Sequence, residues 1–222
     1  MTRPVRPSSD KPVPDPVNGV KSFTRAVAAL KRGNLIVFPT ETLYGIGADA
    51  LNAAAVERVF QLKGRNRQNP IPVLVANEAM LLTLVSEIPP MARNLMDRFW
   101  PGPLTIVLTA RADMPEALLN RDGGIGVRIS SQPIATRLLL ALGRPLTATS
   151  ANPAGKQPAR TVQEAIRYFH GQVDCFIDGG TLTSSIGSTV VEVSGGTLRI
   201  IREGEISVAR LAEILPENGL SG

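Results

Sequence analysis

One cysteine and one histidine stand in a chain of 222 residues, and this scarcity closes several routes to chemistry. A zinc site needs three or four Cys, His or acidic ligands, so zinc fingers and Cys/His-rich metal centres are excluded. The lone thiol, Cys175, can form no intrachain disulfide, which fits a cytoplasmic protein. A Ser–His–Asp or Cys–His nucleophile would have to use His170. That residue lies in EAIRYFHG beside a helix-ending glycine, where an imidazole is expected to cap carbonyls. Long apolar runs are missing as well. A spanning helix takes about 18–20 consecutive apolar residues, so no membrane segment is expected. The first nineteen residues carry no apolar stretch of the kind a secretory signal needs, so export is not expected either.

Two nucleotide-binding loops are also absent or misplaced. The Gly-Lys pair at Gly155-Lys156 is followed by Gln157, so no P-loop is present. Gly45-Ile-Gly47-Ala-Asp-Ala50 imitates a dinucleotide fingerprint. However, Pro39 ends the preceding strand six residues earlier and the following helix begins only near Asn52, so the strand–turn–helix context fails.

What the chain has in abundance is arginine: 19 Arg against 5 Lys, with a formal net charge of +5. The planar guanidinium fork suits phosphate and carboxylate oxygens, which points to an anionic ligand, a nucleotide or RNA, against the alternative of a merely solvated basic surface. Between Arg58 and Ala76 stand Arg58, Lys63, Arg65 and Arg67 with no acid. Lys63, Arg65 and Arg67 could converge on one multiply charged anion. A basic helix end complementing its dipole would carry the same residues.

The pattern of elements is α/β. Five prolines in the first sixteen residues mark 1–19 as a flexible tail, with the folded domain expected over 20–216 and a flexible C-terminus over 217–222. SFTRAVAALKRG reads as a helix capped by Ser22 and stopped at Gly33, and NAAAVERVFQLKG as one capped by Asn52 and stopped at Gly64. NEAMLLTLVSEI, PMARNLMDRF, PIATRLLLALG, TVQEAIRYFHG and SVARLAEIL are further helices. In the last two, Thr161 and Glu164 form a capping box and Ile206 and Leu211 a hydrophobic staple. NLIVFP, IPVLVA, LTIVLTA, IGVRIS, PLTATS, VDCFID, STVVEV and TLRIIRE are strands. Because the last two follow each other without a helix, a twisted mixed open sheet flanked by helices is expected, with a concave basic ligand-binding face.

Three segments, PTETLYG, PLTATSAN and SSIGSTVVEV, place hydroxyls and amides at strand ends, where open α/β sheets bind ligands. Each alone is also ordinary turn chemistry. In combination with others they resemble a known family. Phe38-Pro-Thr-Glu-Thr-Leu-Tyr-Gly45, Lys63-Gly-Arg65, Phe99-Trp-Pro-Gly-Pro-Leu-Thr105, Gly126-Val-Arg128, Thr149-Ser-Ala-Asn152, Gly187-Ser-Thr-Val190 and Arg202-Glu-Gly204 look like the successive signatures of the YrdC/TsaC family, the threonylcarbamoyl-AMP synthases of tRNA modification. The resemblance runs in order from about residue 22 to 205, in the short single-domain form.

That resemblance implies a single YrdC-like domain and a nucleotidyltransferase reaction. Threonine, bicarbonate and ATP give threonylcarbamoyl-adenylate and pyrophosphate, and transfer proteins then pass the threonylcarbamoyl group to tRNA. It implies that Lys63, Arg65, Arg67, Ser150, Asn152 and Arg202 hold ATP, and that Thr40, Tyr44, Arg128, Ala148 and Ser188 hold threonine and bicarbonate. Arg128 would take the amino-acid carboxylate. No catalytic nucleophile and no protein-bound metal are required; Mg²⁺ would arrive with ATP. Tyr44 serves either as a packing surface for adenine or threonine or as core, and Trp100 either as core plug or site residue. The sequence departs from the family pattern at Asn66, Leu74, Ala154 and Pro158, and Lys156 or Thr161 would have to replace a phosphate-binding serine. An RNA-binding module without chemistry is the alternative, with tRNA or double-stranded RNA as partner. Only 4% of the residues are aromatic, which gives such a module few bases to stack on.

Overall fold

A computed structural model describes residues 20–213 and 220–221. The expected tail over 1–19 and most of the expected C-terminal segment 217–222 lie outside the described residues. Strands and helices alternate as anticipated, but the strands divide between two open twisted sheets. The smaller holds β1 (Ile36–Pro39), β2 (Tyr44–Gly47), β7 (Thr149–Ser150) and β8 (Cys175–Phe176) in the order β7-β2-β1-β8. The larger comprises β3 (Val73–Leu74), β4 (Leu104–Thr109), β5 (Gly124–Arg128), β6 (Leu146–Thr147), β9 (Thr189–Ser194), β10 (Thr197–Arg202) and β11 (Leu220–Ser221). Its order is β11-β10-β9-β4-β5-β3-β6. Both sheets mix parallel and antiparallel pairs, and β9 and β10 form the expected antiparallel hairpin.

PLTATS was expected as one strand and is two. Leu146 and Thr147 pair with β3, Thr149 and Ser150 pair with β2, and Ala148 crosses between the sheets, its N–H donating to the Pro72 carbonyl at 2.9 Å. Period-two alternation cannot report such a switch, because each half still alternates. The strand IPVLVA shrinks to Val73–Leu74 and the helix NEAMLLTLVSEI to α3 (Glu78–Leu81).

Helix ends follow the capping rules. α1 (Val20–Lys31) begins two residues before Ser22, so Ser22 is not its N-cap. The last upstream proline is Pro16, and no proline between it and Ser22 obliges the helix to start later. In α2 (Ala53–Lys63), Asn52 accepts from the Ala55 N–H at 3.1 Å and Gly64 closes the helix at φ 60°. That left-handed conformation is natural for glycine. α4 (Pro90–Phe99) and α5 (Pro133–Leu142) both carry proline in the first turn. α6 (Val162–Phe169) has the predicted Thr161–Glu164 capping box. In α7 (Val208–Ala212), Ile206 and Leu211 are buried on either side of the Ser207 cap, as the staple requires.

The main core includes Val37, Ile46, Val59, Phe60, Ile106 and Val127 among its members. A second cluster packs α1 and α5 on the far side of β1, around Leu30, Phe38, Leu74 and Leu139. Gly45 and Gly47 serve this packing. A Cβ at Gly47 would lie 2.9 Å from the Phe38 ring, so the imitation fingerprint makes room for an aromatic side chain and not for a phosphate.

Candidate active site

Alternate residues of a strand face one side of a sheet. On the inner face of the larger sheet these are Thr105 and Val107 of β4, Gly124, Gly126 and Arg128 of β5, and Ser188 and Val190 at the start of β9; together they floor a cavity of about 740 Å³. The opposite wall is built from the β1–β2 turn with Thr40, the loop Arg65 to Pro72, and the sheet crossing Ala148–Ser150. This volume suits a nucleotide-sized ligand.

Three arginines converge here. Arg65 donates to the carbonyls of Asn69 (2.7 Å) and Pro70 (3.2 Å), Arg202 donates to the Ser188 carbonyl (2.7 Å), and Arg128 donates to Glu41 Oε1 (3.2 Å). All three line the cavity, and each spends only part of its five-donor fork on protein. Burial, and after it the charge of Arg202, depresses the pKa of Arg65; burial depresses that of Arg128, offset in part by Glu41 and reinforced to a lesser degree by Arg202; and burial lowers that of Arg202 itself. Five arginines line the cavity, adding Arg121 and Arg199, against a single lining carboxylate, Asp122. Mutually repelling, half-desolvated cations around a hollow are an arrangement that an anion relieves.

The remaining expected site residues divide into those at the wall and those behind it. Ser150 lines the cavity, and its hydroxyl makes no hydrogen bond to the described residues. Ser188 lines the cavity with its Oγ 2.9 Å from Thr105 Oγ1, and Ala148 contributes the small side chain of the crossing. Thr40 lines it too, but its hydroxyl is used within the turn, donating to Leu43 O at 2.7 Å and accepting from the N–H groups of Thr42 and Leu43. Tyr44 is fully buried. Its hydroxyl donates to Gly180 O (2.8 Å) and accepts from Gly179 N–H (2.8 Å), and burial is the chief cause that pushes its pKa up to about 12. It therefore ties the 178–180 turn to β2, and Tyr44 both belongs to the core and lines the cavity.

Lys63 and Asn152 lie beneath the wall and do not line the cavity. The Lys63 ammonium donates to the carbonyl oxygens of Ser150 and Asn152 (2.8 Å for the latter) and to Asn152 Oδ1 (3.4 Å). Burial, then repulsion from Arg65, lowers its pKa from 10.5 to about 7. Asn152 Nδ2 donates to the carbonyls of Lys156 (2.6 Å) and Pro153 (3.1 Å). The two side chains form a strut that sets the height of the Ser150 loop. Arg67 is away from the cavity: its side chain is 69% exposed and ion-paired with Glu57 at 2.6 Å.

Several other expectations are settled by packing. Trp100 packs against the core and donates from Nε1 to Leu104 O at 2.6 Å, so it is the plug. Leu74 is buried in the α1–α5 cluster, on the face of β3 turned from the site. The Thr161 hydroxyl accepts from the Glu164 N–H in the α6 cap and Thr161 does not line the cavity, whereas Pro158 does. His170 Nε2 is buried without a hydrogen-bond partner among the described residues, so it caps no carbonyl through that atom. Residue patterns alone missed Glu41 as the partner of Arg128 and the open floor at Gly124 and Gly126. A glycine–x–glycine–x–arginine alternation in a strand was the available signal for the floor. No helix among the described residues is long and apolar enough to cross a membrane.

Comparison with known proteins places these features in context. The family model for Sua5, YciO and YrdC proteins, described as "Telomere recombination", matches residues 28–204. The threonylcarbamoyl-AMP synthase of Pyrococcus abyssi is 35% identical over 192 residues, covering 86% of this chain and 56% of that protein. The chain thus spans little more than half the length of this relative. The threonylcarbamoyl-AMP synthase of Halorhodospira halophila is 35% identical over 154 residues, covering 69% of this chain and 81% of that protein. Among solved structures, P. abyssi Sua5 complexed with L-threonine superimposes with a TM-score of 0.85 at 34% identity, over 90% of this chain and 58% of that one.

Proposed function

The chain belongs to the Sua5, YciO and YrdC family, and we propose that it is a threonylcarbamoyl-AMP synthase whose site is the arginine-lined cavity. The observation that carries this reading is the convergence of Arg65, Arg128 and Arg202 on one hollow beside the free Ser150 hydroxyl. A cavity, more than a flat basic surface, favours small anionic substrates over an RNA-binding module.

In this reaction the amine of threonine adds to bicarbonate with loss of water, giving a carbamate. A carbamate oxygen then attacks the α-phosphorus of ATP, the bond to the β-phosphate oxygen breaks, and pyrophosphate leaves with the electron pair. The chain supplies position and charge. Arg65 and Arg202 hold the triphosphate, whose charge would otherwise repel the carbamate. Arg128 takes the amino-acid carboxylate, and Ser150 donates to a phosphate or ribose oxygen from a loop held up by Lys63 and Asn152. Ser188 and the Thr40 turn shape the threonine side. Mg²⁺ fits as part of the ATP substrate. Asp122 is the single carboxylate on the wall, so phosphate oxygens and water are its natural ligands, and when bound it screens phosphate charge. The adenylate is a reactive mixed anhydride, which transfer proteins would consume in modifying tRNA.

The test is the conversion of ATP to AMP and pyrophosphate with each substrate omitted in turn. Pyrophosphate release that needs both threonine and bicarbonate, with threonylcarbamoyl-AMP detected by mass, supports the assignment. Release independent of threonine, or none at all, refutes it.

A further inference from the structure

Of the three converging arginines, Arg65 and Arg202 donate to carbonyls, whereas Arg128 donates to an acid, and that acid reaches it from outside the cavity. Glu41 does not line the main hollow. It lines a neighbouring recess with Thr42, Ser184, Ser185 and Glu205, while Arg128 faces the main cavity. The guanidinium is thus held from behind by Glu41 Oε1 at 3.2 Å, and its remaining donors are left for the cavity.

Glu41 is held at both its backbone and its carboxylate. Its turn is fastened by the Thr40 hydroxyl, which accepts from the N–H groups of Thr42 and Leu43 and donates to Leu43 O. Its second oxygen, Oε2, accepts a hydrogen bond from Ser130, whose hydroxyl is itself fixed by the Gln132 N–H at 3.2 Å, just before α5. The contact also crosses from the turn of the smaller sheet to the end of β5 in the larger. Arg128 needs such a hold, because Arg202 repels it and its side chain is only 6% exposed. A free guanidinium there would swing away from its neighbour.

We infer that Glu41 is a positioning residue for the amino-acid substrate: with Ser130 it aims the Arg128 fork into the cavity, and thereby sets the affinity for a carboxylate ligand. The inference rests on the synthase reading, in which Arg128 takes the threonine carboxylate. Reach and charge make opposite contributions here. Reach aims the fork, whereas the negative charge of Glu41 competes with the incoming carboxylate for the same cation.

Two variants separate these contributions. Glu41→Asp keeps the charge but is shorter by one methylene, about 1.5 Å, and cannot span Ser130 and Arg128. Glu41→Gln keeps the reach and loses the charge. Threonine affinity by calorimetry, with separate KM values for threonine and ATP, is the readout. Glu41→Asp should weaken threonine binding on the order of tenfold, the scale of one charged hydrogen bond, with the ATP KM unchanged. Glu41→Gln should tighten threonine binding by about threefold, because the local potential becomes more positive. Wild-type affinity in Glu41→Asp, weaker binding in Glu41→Gln, or parallel loss of threonine and ATP affinity would each overturn the inference for Glu41 alone. A wild-type protein that binds no threonine would overturn the synthase reading together with it.

Discussion

Removing the Lys63 ammonium separates a support role from a stability role. Lys63→Met keeps the length and apolar stem of the side chain. It deletes the donor to the Ser150 and Asn152 carbonyls and to Asn152 Oδ1. Two opposing terms follow. Lys63 is 4% exposed with its pKa lowered from 10.5 to about 7, and at about 1.4 kcal/mol per unit, burying the charge costs on the order of 5 kcal/mol. The variant is relieved of that cost. Against it, two buried carbonyls lose their donor, at about 1–3 kcal/mol each. The terms are of similar size, so the melting temperature at neutral pH should move by less than about 5 °C. Turnover should behave differently. With the strut gone, the Ser150 hydroxyl no longer stands at a fixed height beside Arg65, and pyrophosphate release should fall on the order of a hundredfold.

The pH dependence provides a second signature. The folded pKa lies below the unfolded one, so between about pH 7 and 10.5 the unfolded chain carries more of this proton, and the contribution to stability rises with pH; below about 7 the full penalty applies. The wild-type melting temperature should therefore gain on that of Lys63→Met as pH is raised from 7 towards 9. Over the same range the wild-type kcat/KM for ATP, which reports the free enzyme, should decline as the ammonium is lost, and that of the variant should stay flat. Scanning calorimetry and a pyrophosphate-release assay across pH provide both readings. Wild-type turnover in folded Lys63→Met, or a loss of activity only in step with a large fall in melting temperature, would refute the strut.

Three further outcomes are expected. Arg128→Lys keeps a cation but loses the planar fork, so the threonine KM should rise by the equivalent of about 1–3 kcal/mol with the ATP KM nearly unchanged, as separate substrate titrations would show. Tyr44→Phe leaves the Gly180 carbonyl and Gly179 N–H without their partner, and should cost about 1–3 kcal/mol in denaturant unfolding. Gly126→Val would put side-chain carbon onto the cavity floor, where even a Cβ lies 3.4 Å from Thr105 Cγ2; nucleotide binding by calorimetry should be lost with the fold kept, as circular dichroism would show.

Local chemistry was legible in the chain itself. The Asn52 and Gly64 ends of α2, the Thr161–Glu164 capping box, the staple across Ser207 and the β9–β10 hairpin all rest on neighbouring residues, and their signals survive without a tertiary context. The rejection of the glycine fingerprint was legible too, since it depended on the distance from strand to helix. The basic run and the three hydroxyl-rich strand ends marked the neighbourhood of the cavity for the same reason: side-chain chemistry is written in residue types. Tertiary structure alone decided what each group touches. Lys63 and Arg65 are two residues apart, yet one faces the underside of a loop and the other the cavity, because the chain turns at Gly64 out of the helix. Arg67, two residues further on, is turned outward to Glu57. PLTATS had to be split between sheets before Ser150 could meet β2, and Glu41 finds Arg128 across 87 residues of sequence. Periodicity fixes the face of an element, but the partner across a cavity follows only from how the sheets are packed.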